Sequence, residues 1–346
     1  MDFKRTVNRY RRTLMQKMTR NVGTSYAHNP TAINANEIKH ILISRPNHRL
    51  GNLLLMTPLV QEISALFPNA TIDLFIKGGL GTAVFKTYPN LHLIQLPKKP
   101  FKNPADYING WLRTRQTRYD FAINVINGSS SGRLSVQFSN AKQKFFGDDT
   151  DGLSSKYPDY QHMAKQPVYY FRHCLVKMGL TVNEIPVPTL NLKLTPTEIS
   201  EGKTKLRAVT GNHKRVICLF TNATGDKCYS AEWWTAFYER IQKEFPEFNI
   251  IELLPVENTS RIDFKAPTYS NKDIREVGSV LANVDLFIGA DSGVMHLAGA
   301  VNAPTLGFFS VTDEKSYEPY NGKSVGLNTN HTTTEDYIRT MHYLLY

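Results

Sequence analysis

The chain has 346 residues, 41% of them hydrophobic and 21% charged, which is enough for two ordinary globular domains and argues against a disordered protein. No run of about 18 apolar residues and no apolar leader core occurs, so neither a spanning helix nor secretion is expected and the reading is a cytoplasmic protein. Cys174, Cys218 and Cys228 fall in no C-x-x-C or Cys/His ligand spacing, so they are expected to be packing residues, and no metal site is expected.

The formal charge of +11 is unevenly spread: residues 1–20 hold seven basic residues against Asp2 alone. In that arm (1–36) Phe3, Val7, Tyr10, Leu14 and Met18 recur at steps of four and three, one face of a helix. Two readings stay open: a helix lying on an anionic inner-membrane surface, and a helix docked on the protein's own core with its basic side in water. Nucleic acid is a weaker partner, since no nucleic-acid module follows the arm.

From Ile38 onward, short β-branched and aromatic runs alternate with stretches of helical period. "HILIS" (40–44), "TIDLFI" (71–76), "HLIQL" (92–96), "DFAINVI" (120–126) and "QKFFG" (143–147) predict buried strands, and Leu55, Leu59, Ile63 and Leu66 predict a helix ended by Pro68. Polar residues 147–167 predict a long loop. Prolines 186, 188 and 196 mark 183–196 as an extended linker. "RVICLF" (215–220), "NIIELL" (249–254), "VDLFIG" (284–289) and "PTLGFF" (304–309) then predict a second series of strands, with a helix over 231–245. The expected architecture is α/β: two doubly wound Rossmann-like domains, 37–182 and 197–346, facing a central cleft where the strands' carboxyl ends bind ligands.

The stretch Val284 to Phe309 carries the most chemistry. A strand runs into Asp291-Ser292-Gly293 and then a small-residue helix, whose first N–H groups have no partner within the helix. Such an end suits an anion: nucleotide phosphates against Ser292, Gly293 and Val294, with His296 one turn in as a donor. The bland alternative is an ordinary capped helix with His296 in the core.

These residues, "DLFIGADSGVMHLAGAVNAPTLGFFSVTD", resemble the C-terminal signature of glycosyltransferase family 9, the heptosyltransferases of lipopolysaccharide core assembly. "HILISRPNHRLGNLLLMTPLVQEISALFPNATIDLFI" resembles the family's N-terminal glycine loop and "TP" helix, and "YDFAINVINGSSSGRLSVQFSNAKQKFFG" its middle segment. The resemblance implies a GT-B architecture with the donor on the second domain and the acceptor on the first. It implies transfer of heptose or a related sugar from a nucleotide-diphosphate donor, an ADP-sugar above all, to a lipopolysaccharide-core or other envelope glycolipid. The transfer it implies is inverting and metal-independent, with no resident cofactor. On the donor side it points to Asp291, Ser292, Gly293, Val294 and His296. It adds Thr312 (with Ser310 in place of the family's glycine), Lys227 and Thr224 at the phosphates, and Glu257 at the ribose.

On the acceptor side Arg45 and Arg49 are candidates by type to meet acidic acceptor groups, or else solvated loop arginines, and after the loop glycine, here Gly51, the family carries an aspartate taken to be the catalytic base. Here Asn52 stands, a neutral amide that orients a hydroxyl but does not take its proton. Three explanations compete: another base, with His48, Asp120, Asp148 and Asp149 as candidates by type; a different sugar and acceptor; or a non-catalytic binder of nucleotide-sugar or glycolipid. An NAD-dependent oxidoreductase is excluded, because "RPNHRLGN" after the first strand is not G-x-G-x-x-G. Asp149 and Asp151 form no metal-binding pair in either signature.

Overall fold

The computed structural model describes residues 10, 13–25, 34–148, 150–182 and 184–346. Of the basic arm it describes a helix over residues 13–19 (α1); Phe3 and Val7, like Asp149, lie outside the described residues.

The first sheet has the order β3-β2-β1-β4-β5, every pair parallel, from β1 (His40–Ser44), β2 (Thr71–Lys77), β3 (Leu91–Leu96), β4 (Arg118–Asn124) and β5 (Asn140–Phe145). The central strands read as continuous apolar runs because helices cover both faces. These helices are α2 (Leu50–Leu54), α3 (Thr57–Leu66), α4 (Leu80–Val84), α5 (Pro104–Gln116), α6 (Ser130–Phe138), α7 (Leu153–Lys156) and α8 (Gln166–Lys177). On the sheet's outer face Leu42, Phe75, Val136 and Phe146 pack against Trp111 of α5.

The helix expected over Leu55 to Leu66 is α3, and before it stands a separate short helix, α2, that was not expected. Pro58 has no N–H and would strike the carbonyl four residues back, so the chain breaks at Leu55-Met56 and restarts as α3, with the Thr57 hydroxyl donating to the Leu54 carbonyl at 2.7 Å. The break leaves α2 as a separate short helix at the carboxyl end of β1. The polar stretch 147–167 also differs from a plain loop, since it contains α7 and the start of α8. Arg172 of α8 ties that helix to the first domain through Glu62 of α3, at 2.6 and 2.9 Å, with both side chains buried.

Residues 184–195 form no helix or strand. Then α9 (Pro196–Thr210) opens on a Thr195/Glu198 capping box, the local signal that starts it. The second sheet has the order β11-β10-β9-β6-β7-β8, again parallel throughout. Its strands are β6 (Val216–Phe220), β7 (Asn249–Leu253), β8 (Thr268–Tyr269), β9 (Leu286–Ala290), β10 (Thr305–Phe309) and β11 (Ser324–Asn328). Helices α10 (Ala231–Glu244), α11 (Ile274–Leu281), α12 (Gly293–Ala300), α13 (Glu314–Tyr317) and α14 (Thr334–Leu345) complete it. β8 and β11 were not expected. Two residues are too short for a pattern, and "SVGLN" on an edge lacks the apolar run of a buried strand.

The two halves share one continuous apolar core that runs from Leu53, Leu54 and Met56 to Met295 and Leu297. Buried Arg275 of α11 reinforces the junction: it pairs with Glu198 at 2.6 and 2.7 Å and donates to the carbonyls of Ala83 and Leu192, each at 3.1 Å. That double pairing holds the Glu198 carboxyl down at about 2.

Candidate functional site

In a doubly wound sheet the ligand crevice opens where the strand order reverses, because there the two neighbouring loops diverge to opposite faces. In the second sheet this point lies between β6 and β9. The loop after β6 carries Thr224 and Lys227, and the turn after β9 carries Asp291 to Val294. Lysine and turn, 64 positions apart in sequence, therefore meet because their strands are adjacent.

They meet on Asp291, which is buried. The Lys227 ammonium donates to its Oδ2, and the Thr312 hydroxyl donates to the same oxygen at 2.5 Å. His296 Nε2 stands 3.9 Å from Oδ1, and Tyr317 of α13 lies near both the His296 ring (6.2 Å) and the Lys227 ammonium (5.8 Å). Ser292 is the N-cap of α12, its hydroxyl accepting from the Met295 N–H at 3.2 Å. That much is the bland reading made real. Yet the N–H groups of Gly293 and Val294 have no hydrogen-bond partner among the described residues and both residues are partly exposed, so the helix end stays free for an anion. His296 is buried, and burial outweighs the raising effect of Asp291, bringing its pKa down to about 4. Near neutral pH it is an uncharged imidazole with one N–H to give.

Two expected donor-side residues stand apart from this cluster. Thr224 is exposed, the N-cap of a single 3-10 turn, and its side chain makes no cap bond. Glu257 is exposed in the loop after β7. Tyr317 was missed by sequence reasoning, because an aromatic in a four-residue helix carries no motif.

In the first sheet the order reverses around β1, and the loop after it carries Arg45, His48 and Arg49. Arg49 is the N-cap of α2, so Gly51 and Asn52 occupy its first turn. That turn presses on the donor turn. A Cβ on Gly51 would lie 2.8 Å from His296 Cδ2 and 3.3 Å from Gly293 Cα, so only glycine lets α2 and α12 approach this closely. The expected cleft is thus closed at this point, and Asn52, half-buried, follows directly. Its side chain has no hydrogen-bond partner among the described residues.

His48 is exposed, and its pKa is lowered by partial burial and then by Lys98, Lys77 and Arg49. Arg49, Lys77 and Lys98 have no ion-pair partner among the described residues, so the loop after β1 sits in a positive field. Lys77 and Lys98 went unread in the sequence. The available signal was their position at and just after the carboxyl ends of β2 and β3. Beside them a groove of about 800 Å³ between β3 and α5 is lined by Gly78, Gln95, Lys98, Asn109 and Arg113.

Two of the candidate bases are engaged in structural contacts. Asp120 accepts from the backbone N–H groups of Lys39 and His40 (2.8 and 3.1 Å) and from Lys142 at 2.8 Å; these lie at the amino ends of β1 and β4, the edge away from the site. Those contacts outweigh burial and lower its pKa. Asp148 accepts from Ser25 and anchors the N-terminal segment. Among the described residues no group of three His, Cys, Asp or Glu side chains is arranged to hold a metal ion.

Two parallel, doubly wound sheets with helices on their faces make a GT-B-like α/β architecture. The family profile of glycosyltransferase family 9 (heptosyltransferase) matches residues 268–343. Lipopolysaccharide heptosyltransferase 3 of Escherichia coli is 36% identical over 303 residues, 80% of this chain and 85% of that protein. The chain belongs to glycosyltransferase family 9 and is a glycosyltransferase; the non-catalytic alternative is not favoured. Solved structures agree in fold. A family 9 glycosyltransferase from Veillonella parvula covers 91% of this chain and 99% of its own at TM-score 0.72 and 16% identity. E. coli ADP-heptose lipopolysaccharide heptosyltransferase II covers 89% and 98% at 0.63 and 16%. E. coli heptosyltransferase WaaC, solved with ADP, covers 88% and 99% at 0.62 and 14%.

Proposed function

We propose that this glycosyltransferase moves a heptose, or a closely related sugar, from an ADP-sugar to a growing lipopolysaccharide core. The observation that carries the reading is the Asp291 cluster: one buried carboxylate holding Lys227 and Thr312 beside two free amides at a helix end. The kinship with an E. coli lipopolysaccharide heptosyltransferase supports the choice of sugar and acceptor.

In this mechanism the acceptor hydroxyl attacks the donor's anomeric carbon from the face opposite the diphosphate, so the configuration inverts. The new C–O bond forms as the bond to the diphosphate oxygen breaks, and the leaving group collects negative charge. Lys227 and the Gly293 and Val294 amides meet that charge, the task a metal ion performs in other transferases. Asp291 is the positioning residue: it holds the ammonium and the Thr312 hydroxyl in place before the donor arrives. Neutral His296 donates its one N–H to the phosphates without adding a second cation. Thr224 and Glu257, on exposed loops at the rim, reach the donor's phosphates and ribose when it is bound.

Asn52 orients the attacking hydroxyl from across the Gly51/Gly293 contact. His48 takes the proton, because the surrounding cations and partial burial keep its imidazole unprotonated near neutral pH and so able to accept. Arg45 and Arg49 face acidic groups of the acceptor. The enzyme works in the cytoplasm with α1 against the anionic inner leaflet; among the described residues no helix is long and apolar enough to cross a membrane.

A thermal-shift series with ADP, other nucleoside diphosphates and ADP-heptose tests the donor assignment, since a ligand bound only by the native state raises Tm. ADP is expected to stabilise the wild type and to lose most of that effect in Lys227→Ala. Equal response to every nucleotide, or to none, overturns the assignment.

A further inference from the structure

Between β3 and α5 the chain reads Pro97-Lys98-Lys99-Pro100-Phe101-Lys102-Asn103-Pro104. Phe101 is 99% exposed, and in the following helix Ile108 and Leu112, four residues apart on one face, are 56% and 43% exposed. An apolar patch of this kind marks a surface that meets something. Its setting is cationic. Residues 97–116 hold five basic residues against Asp106, and Lys98, Lys99 and Lys102 have no carboxylate partner among the described residues. Three prolines within eight residues stiffen the loop, so Phe101 stands out at little further entropic cost.

A second patch of the same character lies on the same rim. In α1, Leu14, Met15 and Met18 are 60%, 39% and 67% exposed. That face did not dock on the core. The helix is held from its other side and its end: Gln16 donates to the Gly128 carbonyl at 3.0 Å, and Arg133 donates to the carbonyls of Thr19 (3.1 Å) and Gly23 (2.7 Å). Gly128 follows β4 and the Phe101 loop follows β3, so in a parallel sheet both sit at the carboxyl edge. Three strand steps separate them, roughly 14 Å, with the acceptor loop after β1 in between.

We infer that the Phe101 loop and the first turns of α5 form a second membrane contact, an aromatic wedge ringed by lysines that works with α1 to seat the acceptor loop on an anionic bilayer. The occupant is lipid because both patches pair exposed apolar side chains with basic residues that have no ion-pair partner among the described residues, Lys98, Lys99 and Lys102 at one and Lys17 and Arg20 at the other, the combination that suits acyl chains beneath negative headgroups. Two weak contacts are also what durable but reversible peripheral binding needs, a single one being marginal. The inference is independent of the donor assignment, since it concerns the protein without nucleotide.

The test is co-sedimentation of the full chain with phosphatidylcholine vesicles, with and without phosphatidylglycerol. F101S is expected to weaken binding to the anionic vesicles about tenfold, the share of phenylalanine burial lost. K99Q/K102Q is expected to weaken it about thirtyfold, at roughly fivefold per lysine. Since these side chains are exposed and make no contact with Asp291 or the residues it holds, the ADP-induced thermal shift should stay as in the wild type in both variants. That readout separates failure of this inference from failure of the donor assignment. Wild-type partitioning by F101S, or equal binding to vesicles lacking phosphatidylglycerol, overturns it. So does light scattering that shows the wild type self-associating through a face that F101S releases.

Discussion

The turn after β9 and the loop after β1 occupy equivalent places, each at the switch point of a parallel sheet and each leading into a short helix. They are built in opposite ways. The turn after β9 has its side chains fixed in advance: buried Asp291 already holds Lys227 and Thr312, and buried His296 is packed beneath Gly51. The acceptor loop is more exposed, carries several positive charges, and leaves Arg49, Lys77 and Lys98 without ion-pair partners among the described residues. On the proposed assignment, the geometry for a small nucleotide is set in advance, while a large, variable acceptor is met mainly by long-range charge.

The comparison breaks most severely at Lys227. In Lys227→Ala, kcat/KM should fall by about 10²–10³, the usual loss when one preorganised charge-stabilising donor is removed. Steady-state kinetics with ADP-heptose checks this, and a loss below tenfold would move leaving-group stabilisation elsewhere. Gly51→Val attacks the contact between the two regions. Its Cβ would meet the His296 ring, so overpacking of about 1–3 kcal/mol is expected as a lower urea midpoint, together with loss of transfer.

A third prediction follows from the buried imidazoles. His162 and His296 both titrate at about 4 because burial disfavours their charged forms. The His162 Nδ1 accepts from the Ala164 N–H at 3.2 Å, leaving Nε2–H to donate to the Glu318 carbonyl at 2.9 Å across the junction. With folded pKa values below the unfolded value of 6.5, the unfolded chain binds more protons below that pH. Stability should therefore fall as pH drops from about 6.5 toward 4, by up to about 1.4 kcal/mol per pH unit for each histidine. Urea denaturation across that range should show a shallower slope in His162→Gln, whose amide restores the donor without titrating.

The smallest effect sharpens the acceptor side. Asn52→Ala should lower kcat about tenfold, one lost hydrogen bond to the attacking hydroxyl, with KM for the donor unchanged. A change in donor KM instead would place Asn52 among the nucleotide contacts. The pH profile of the same variant should keep the limb assigned to His48, which His48→Gln should remove.

Much of this molecule was legible in the chain. Nine strands of the parallel sheets announce themselves as apolar runs, and the Asp-Ser-Gly turn falls where a strand pattern hands over to a helical one. Less legible were contacts made by chain folding. Asp120 reads as well as any carboxylate for a base until the register of β1 and β4 puts it at the amino edge. Lys77 and Lys98 read as ordinary strand-end lysines until β2 and β3 place them around His48. The helix expected over Leu55 to Leu66 is present as α3, but the short α2 before it, set off from α3 by Pro58, went unread. The apolar stripe of α1 was correct in spacing for Leu14 and Met18, but spacing does not say what a stripe faces. In the structure these two side chains are exposed.

What the sequence by itself determined is the α/β class, because hydrophobic period and helix-start chemistry act over a few residues, and the family, because its motifs stand in the chain as continuous stretches. What only the tertiary structure decided is which distant groups share a field: Lys227 with Asp291, Gly51 with His296, Lys98 with His48. Strand order and domain packing set those pairings, and neither is a local property of the chain.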